Sequence, residues 1–377
     1  MIFALLALFS VVIGYSATGS LAYKYYKGDT SGFLLKQVGI LFLGFILTYV
    51  CYLLHPKRYS KAAASLFLLC IPLLVYTLAM GTNINDARRW ITLPFVNLTF
   101  QTSDFAKIVL ILYLAKVLSV KDYIKDFNSA FGPIIIPTII ICGLIAPADL
   151  STAALLFLTT MLMMFIGRVD VKYIILLIMC GIVVFAALFI LGEFFPDYVR
   201  SETWTERVRE FWFNEDGGYQ IQQAKMAIAG GELLGIGPGN SIARNYLPSA
   251  HADFIFAIIC EEYGLLGGLT ILSLYLLLLF RVARLVTVSS KGFEAMLALG
   301  LTLSIVIQAL ANVAVSVHLI PVTGLTLPMV SYGGTSLVFT CISFGIILSV
   351  SKNIQKITEP ETAGSSEKPS VKTDGGK

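Results

Sequence analysis

The sequence is poor in charge. Only 13% of its 377 residues are charged, 57% are hydrophobic and the mean hydropathy is +0.82, whereas a soluble chain carries about a quarter charged residues. This composition excludes a water-soluble globular fold. The net charge of +4 is also too small to indicate nucleic acid as a partner.

The sequence also lacks the spacings that hold metals or redox centres. It contains no HExxH and no CxxC motif and no recognisable hydrolytic triad, so metalloprotease and thiol-redox chemistry are not indicated. The cysteines all fall inside apolar runs. We interpret them as small buried hydrophobes and not as disulfides or ligands: Cys51, Cys70, Cys142, Cys180, Cys260 and Cys341.

Long apolar runs are what the sequence has in abundance, and they predict an all-α polytopic membrane protein. The run that begins at Met1 has no basic region before it and no clear cleavage site after it, so we interpret it as a retained helix and not a signal peptide. The fifth and sixth runs are almost continuous, so one of them could be short or re-entrant. We predict about ten transmembrane helices, at residues 1–18, 33–54, 60–80, 104–120, 130–147, 150–167, 172–193, 252–280, 294–317 and 334–351.

Lysine and arginine in the short connections predict the orientation. Lys24, Lys27, Arg88 and Arg89 fall on the outer side and weaken the bias without reversing it. Most of the lysines and arginines lie on the other side, which we therefore predict to be cytoplasmic, with both termini. These residues lie at 57–61, 121–125, 168–172 and 281–291 and in the tail from Lys352.

The predicted organisation is one transmembrane domain, residues 1–357, followed by a tail. A large structured extracytoplasmic loop is expected at about residues 193–251. Residues 358–377 lack apolar periodicity and are expected to be a disordered cytoplasmic tail.

One stretch of the long loop has the pattern of an amphipathic helix. Its apolar positions repeat at helical spacing, and charged residues occupy the opposite face. The helix would lie on the membrane surface or pack against the core of the loop. The apolar residues are Trp204, Val208, Phe211 and Trp212, and the charged ones are Glu202, Glu206, Arg207 and Glu210.

Asp253 is the strongest candidate for a general base. It stands at the outer start of the eighth run, beside His251. Ionisable groups are costly at the bilayer edge, so a function is the first interpretation. Burial would raise the pKa of this carboxyl and a nearby cation would lower it. The alternative is that Asp253 caps the helix beginning at Phe254. His251 could orient the carboxylate or bind loop backbone.

A group of glycines precedes Asp253. Their backbone amides could cradle a phosphate, although tight turns explain the pattern equally simply. No Lys-Ser/Thr follows, so the stretch is not a Walker A loop. The glycines are Gly230, Gly231, Gly235, Gly237 and Gly239.

Asp104 and Lys107 lie three residues apart on one face of the fourth run, which suits an intramembrane ion pair with a functional or a purely packing role. Arg88 and Arg89 precede them on the outer side. Their guanidinium groups suit a diphosphate, or they could anchor the chain at the interface.

Three further carboxylates, those of Asp149, Glu261 and Glu262, fall within or between apolar runs. The outer segment His318–Ser336 carries two prolines and three glycines and breaks the helix between the last two runs. Such backbone survives at membrane depth only inside protein or along a cavity. We therefore expect a cavity wall near the Asp253 loop.

Six stretches, in this order, resemble the SEDS family of FtsW, RodA and SpoVE proteins. The last two are closest to the FtsW branch. The stretches are DARRWI (86–91), QTSDFAK (101–107), ADLSTA (148–153), GIGPGNS (235–241), LPSAHADFIFAIICEEYGLLGG (247–268) and PVTGLTLPMVSYGGTS (321–336).

The resemblance implies a peptidoglycan glycosyltransferase of the bacterial inner membrane, active on the periplasmic face. It would polymerise lipid II, the undecaprenyl-diphosphate-linked disaccharide pentapeptide, in cell division. A class B penicillin-binding protein and other divisome membrane proteins would be its partners. Asp253 matches the family's catalytic aspartate, with Asp149, Gly237 and Gly239 supporting the site.

The resemblance also places Asp104 and Lys107 on the family's Glu-x-x-Lys pair. Asp replaces the usual Glu at position 104, which shortens the reach to Lys107. Ser249 replaces a Glu often found there, which weakens any case for a second loop carboxylate.

The chemistry needs one base and positive charge at the leaving diphosphate, because an α-linked donor becomes a β-linked glycan by single displacement. Asp253 would be the base. Arg88, Arg89 and Lys107, with His251 nearby, would bind substrate, and a divalent cation, Mg or Mn, could assist. A lipid II flippase is the alternative, since broken helices with buried charge also suit transport. A scaffold that only recruits a synthase would leave Asp253 without a role.

Overall fold

The computed structural model describes residues 1–17, 19, 31–84, 87–93, 98–120, 127–195, 199–214, 217–289 and 292–364. Lys24, Lys27, the basic connection 121–125 and the tail from residue 365 lie outside the described residues, as does the side chain of Arg88.

Most of the described chain is helical. A π-helical turn, Phe131–Ile135, joins α5 to α6, and a 3-10 turn, Ala243–Asn245, follows α10. The helices are α1 (Ile2–Ala17), α2 (Ser31–Leu53), α3 (Pro56–Met80), α4 (Thr102–Val120), α5 (Phe127–Ala130), α6 (Ile136–Ile145), α7 (Leu150–Ile166), α8 (Val171–Phe194), α9 (Ser201–Phe213), α10 (Tyr219–Gly230), α11 (Ile255–Val288), α12 (Gly292–Ser316) and α13 (Thr335–Gly364).

Nine of the ten predicted apolar runs each overlap one helix, and the fifth, at residues 130–147, covers the end of α5, the π-helical turn and α6. Within the described residues, six helices are long and apolar enough to cross a membrane. They make the chain an integral membrane protein. The six segments are Leu34–Leu53, Pro56–Met80, Val171–Phe194, Ile255–Thr287, Gly292–Ser316 and Thr335–Ile354.

The helices sort by polarity into a centre and a periphery. α8 is apolar between its two ends, and only 6% of its membrane-spanning residues are buried, whereas 72% of those of α12 are buried. Lipid tails accept large apolar side chains, so an outer helix gains little by burying them, while polar groups must face protein. α12 accordingly packs against α4, α7, α11 and α13. At Gly300 it approaches Ile111 of α4 and Met163 of α7 so closely that an added Cβ would lie 2.7 Å from each.

A small sheet covers one end of the bundle between α3 and α4. Strands β1 (Thr82–Ile84), β2 (Ala87–Leu93) and β3 (Leu98–Gln101) form an antiparallel meander in the order β1-β2-β3. The all-α prediction therefore holds for the bundle and misses this sheet. The backbone amide of Gln101 donates to Thr335 Oγ1 at 3.3 Å, which ties the sheet to the start of α13.

The described part of the long connection between α8 and α11 contains two helices, α9 and α10. Two of the four apolar residues of α9 pack on protein: Trp204 stacks on Phe185 with ring centroids 6.0 Å apart, and Phe211 meets His318 edge-on. Trp212 is 73% exposed. The packing alternative holds for Trp204 and Phe211, and contact of the exposed Trp212 with a membrane surface stays a prediction.

The last helix is longer than expected. α13 continues to Gly364, so the backbone of residues 358–364 is helical where the sequence predicted disorder.

The glycine-rich stretch packs on α11. An added Cβ at Gly231 would lie 1.8 Å from the Cys260 carbonyl oxygen, and one at Gly235, whose φ is +82°, would lie 2.1 Å from that of Glu262. Only glycine allows two backbones to approach this closely. The stretch is therefore built for close backbone packing.

The amide groups of this stretch bind the protein's own carboxylates and carbonyls. The amides of Ile242 and Ala243 donate to Glu261 Oε1 at 3.1 and 3.2 Å, and Ser241 Oγ donates to Glu261 Oε2. The amide of Gly237 donates to the Glu262 carbonyl at 3.1 Å. The turn interpretation is confirmed. The amides of Gly231, Gly235 and Gly237 donate to the carbonyls of Ala227, Gly231 and Glu262, so these three are not free for a phosphate.

We expect Gly231→Ala to lower the free energy of unfolding by about 1–3 kcal/mol, because the new methyl group must displace the α11 backbone. Gly230→Ala is the matched control, since an added Cβ at Gly230 meets nothing within 4 Å. Thermal unfolding of the two variants in detergent measures the difference. Equal losses would contradict the close packing.

Candidate active site

Asp253 lies in a turn just before α11. The N-cap of α11 is Phe254, which makes no side-chain capping bond. Among the described residues, no hydrogen bond to the Asp253 carboxylate is formed. The alternative that Asp253 caps α11 is therefore wrong, and its carboxylate is free to interact with other groups.

The Asp253 carboxylate faces a guanidinium across a glycine. A Cβ added at Gly324 would lie 3.7 Å from Asp253 Oδ2 and 4.0 Å from each terminal nitrogen of Arg207. Gly324 has φ +69°, a conformation that side chains disfavour. Carboxylate and guanidinium thus meet at a point where the backbone carries no side chain.

The surroundings shift the pKa of Asp253 in opposing directions. Burial raises the pKa above its ordinary value, the charges of Arg89 and Arg207 lower it, and Asp149 raises it, so that the net direction is upward. A carboxyl with a raised pKa is a stronger base in its ionised form. This is the property that a general base needs.

Arg89 of β2 reaches the same place and forms an ion pair with Asp149, with Nη1 3.0 Å from Oδ2. Asp149 also caps α7, because its Oδ1 accepts the Thr152 amide at 3.0 Å. One carboxylate therefore fixes both a helix start and an arginine.

Arg207 is partly buried, and this burial lowers its pKa, as does the charge of Arg200. Arg89 and both carboxylates also act on Arg207. Three guanidinium groups and two carboxylates together leave one net positive charge, three minus two. The cluster is therefore suited to an anion.

His251 does not join this cluster. Its ring packs on the Tyr332 ring with centroids 5.9 Å apart, and burial lowers the pKa of its imidazole. A lowered pKa favours the neutral ring at physiological pH. Its predicted role in binding substrate stays a prediction.

Asp104 and Lys107 form the predicted ion pair, with Oδ1 and Nζ 2.8 Å apart, so the shorter side chain reaches far enough. They line a separate cavity of about 30 Å³ together with Gln308 and Ser336. This volume is far below the roughly 300–1,000 Å³ of a ligand pocket. The structure thus brings Arg89, Asp149 and Asp253 together and places Asp104 and Lys107 apart from them.

The sequence pattern does not single out several residues near the cluster. It put Arg207 on the outward polar face of α9, because the amphipathic pattern does not tell water from a polar site. It also passed over Gln308 and Asn312, two amides four residues apart in an apolar run. Their polarity in that run was the signal.

An apolar helical bundle with a partly buried carboxylate and arginines at one end defines an integral membrane protein. The chain belongs to the cell cycle protein family of FtsW, RodA and SpoVE, whose family model matches residues 1–356.

Relatives and solved structures agree with this assignment. The chain is 32% identical to a probable peptidoglycan glycosyltransferase FtsW of Buchnera aphidicola, over 93% of both chains, and 33% identical to one of a Geobacter species, over 94% and 96%. It is similar in structure to RodA of Thermus thermophilus, with TM-score 0.66, 25% identity and coverage of 93% and 96%. A chain from a peptidoglycan synthase complex that coordinates polymerization and crosslinking matches with TM-score 0.72, 27% identity and coverage of 93% and 97%.

We expect Asp149→Ala to lower the free energy of unfolding by about 1–3 kcal/mol, because the helix cap and the Arg89 partner are lost together. Asp149→Asn keeps the cap and should lose less. Asp170→Asn is the control: its ion pair with Lys172 is largely exposed and should be worth well under about 1 kcal/mol. Thermal unfolding in detergent ranks the three variants, and a loss for Asp170→Asn as large as for Asp149→Ala would contradict the analysis.

Proposed function

We propose that this protein is a peptidoglycan glycosyltransferase that polymerises lipid II by inverting single displacement. One observation carries the proposal: a desolvated carboxylate, Asp253, among arginines that leave one net positive charge. The FtsW relatives named above support the reaction, and their name supports a role in cell division.

The site supports each part of the displacement. Asp253 takes the proton of the acceptor hydroxyl while the oxygen of that hydroxyl bonds to the anomeric carbon of the donor sugar. The bond from that carbon to the diphosphate breaks on the opposite face, which inverts the centre. Arg89 and Arg207 are placed to stabilise the charge of the leaving diphosphate. A single base suffices, because no covalent intermediate is formed.

An apolar groove supports a lipid-linked substrate. The cavity, of about 300 Å³, lies between α6, α7 and α8, and its lining includes Ala146 and Leu150. These two residues flank the turn that carries Asp149, the partner of Arg89. We assign the groove to the isoprenoid chain, since it runs through apolar side chains to the edge of the charged cluster.

The order of the helices supports an extracytoplasmic site and cytoplasmic termini. The groups of the cluster come from the connections after α3, α6 and α8 and before α11, all at one end of the bundle. The opposite ends carry basic residues, which mark the cytoplasmic side: Arg58, Lys61, Arg168, Lys172, Arg281, Arg284 and Lys352. We keep the count of ten spans as part of this proposal.

A divalent cation, Mg or Mn, is part of the proposal only as an ion carried by the diphosphate. Within the described residues, no group of three or more His, Cys, Asp or Glu could hold a metal. Magnesium often binds through one or two carboxylates and substrate phosphates, and Asp253 offers one such carboxylate. We assign no step to the ion.

We propose a class B penicillin-binding protein as the working partner, alongside other divisome membrane proteins. The support is the likeness to a chain of a peptidoglycan synthase complex that coordinates polymerization and crosslinking.

The test is glycan polymerisation from purified lipid II in detergent, with the partner synthase added. Asp253→Asn removes the base at nearly constant shape and should lower the rate by about 10²–10⁴-fold, with lipid II binding kept. Asp170→Asn, far from the cluster, is the control. Equal amounts of polymer from wild type and Asp253→Asn would show that Asp253 is not the base. If neither protein forms polymer and Asp253→Asn lowers the movement of lipid II across vesicle membranes, the flippase is favoured.

The acid side of the pH–rate profile should move in opposite directions in two variants. Activity falls as Asp253 becomes protonated, so the midpoint follows its pKa. Arg207→Gln removes a charge that lowers this pKa, and the midpoint of kcat/KM should move to higher pH. Asp149→Asn removes a charge that raises it, and the midpoint should move to lower pH. A shift in the same direction in both would contradict the assignment of the base.

A further inference from the structure

Two amide side chains lie on one face of the central helix α12. Gln308 is 6% exposed and Asn312 is fully buried. Buried amides are costly unless they form hydrogen bonds. Gln308 Nε2 donates to the Thr326 carbonyl at 2.9 Å, and Asn312 Nδ2 donates to the Leu325 carbonyl at 2.7 Å. The helix thus holds two consecutive peptide groups of the segment that joins α12 to α13.

Asn312 also holds the residue that carries the base. Its Nδ2 donates to the backbone carbonyl of Asp253 at 2.7 Å. An amide nitrogen has two hydrogens, and here Leu325 and Asp253 take one each. A single side chain therefore joins three elements: α12, the α12–α13 segment and the turn before α11.

Two further bonds hold the same turn. Ser331 Oγ donates to the Ala252 carbonyl at 2.7 Å and accepts the Leu327 amide at 2.8 Å. The backbone amide of Tyr332 donates to the His251 carbonyl at 2.9 Å. Three consecutive carbonyls, those of residues 251 to 253, are thus each bound from α12 or the α12–α13 segment.

The ion pair in the small cavity controls one of these amides. Lys107 Nζ donates to Gln308 Oε1 at 3.2 Å, and Asp104 holds Lys107 in place. An ammonium group has only donors, so it binds the oxygen end of the amide. The NH2 end of Gln308 must then face the Thr326 carbonyl.

We propose that Gln308 and Asn312 are positioning residues for Asp253, and that Asp104 and Lys107 act through them. This inference rests on the proposed function, for which Asp253 is the base. No hydrogen bond among the described residues reaches the carboxylate itself, so the backbone of the turn fixes its place. The network assigns a role to the Asp104–Lys107 pair without contact to substrate.

The test compares kcat with lipid II binding in variants that keep the shape of the side chain. Asn312→Leu removes both donor bonds and should lower kcat by about 10²-fold, the cost of a misplacement of about 1 Å. The dissociation constant for lipid II should change less than about threefold, because the arginine cluster is untouched. Gln308→Met should have a smaller effect in the same direction, since it acts one step further away.

Thr302→Val is the matched control. Thr302 is a buried polar residue of the same helix whose hydroxyl has no partner among the described residues, and its replacement should leave kcat unchanged. Ser331→Ala serves if Asn312→Leu does not fold, because it removes one of the three carbonyl bonds from a different element. It should lower kcat with binding kept.

The outcomes separate the two proposals. No polymer from wild type would overturn the proposed function. Polymer from wild type that is lost in Asp253→Asn but unchanged in folded Asn312→Leu and Ser331→Ala would overturn the positioning role alone. A loss of kcat that is matched by an equal loss of lipid II binding would also overturn it, since that is the result of a general disturbance.

Discussion

The structure depends on one partly buried carboxylate, that of Asp253, at one end of an apolar helical bundle. Burial alone favours its neutral form, and only nearby cations make the ionised form accessible. These cations do not come from the spanning helices, where charge is costly. They come instead from connections that are distant in sequence: Arg89 from the sheet after α3 and Arg207 from the long connection after α8. The fold brings separate loops to one end of the bundle because the site requires it.

The central helix solves the complementary problem of fixing the carboxylate. Loops are generally more mobile than the elements they connect, and sites held by helices are more precise than sites held by loops. Gln308 and Asn312 extend from the buried helix α12 to the α12–α13 segment, and Asn312 also binds the turn before α11. A loop residue thereby gains the rigidity of a helix. Polar side chains are costly inside a membrane. Gln308 and Asn312 are tolerated in α12 because each donates to backbone carbonyls.

The sequence predicted the apolar helices well, because in a membrane the solvent itself selects long apolar runs. It also predicted Asp253, Arg89 and Asp149 as site residues, since charge is rare enough in this chain to be conspicuous. It could not predict the role of Arg207, because an amphipathic helix has a polar face whether that face meets water or a site. The glycine stretch was ambiguous for a related reason: amides that could bind a phosphate can also donate to backbone carbonyls in a turn, and only the structure shows that those of Gly231, Gly235 and Gly237 do so. The sheet between α3 and α4 was missed because its strands are short and carry little periodic signal.

The two halves of the chemistry have different mechanical supports. The turn of the proposed base, Asp253, is held by α12 and the α12–α13 segment through bonds to three consecutive carbonyls, whereas Arg207 is carried by α9, a helix of the long connection with an exposed apolar face at Trp212. A displacement of α9 would therefore change the charge around Asp253 and the stabilisation of a leaving diphosphate without moving the base. A displacement of α12 would do the reverse. The proposed base and the arginine proposed for the leaving group thus depend on different elements for their position, and a contact made at the surface of the long connection would change the charge around Asp253 without moving it.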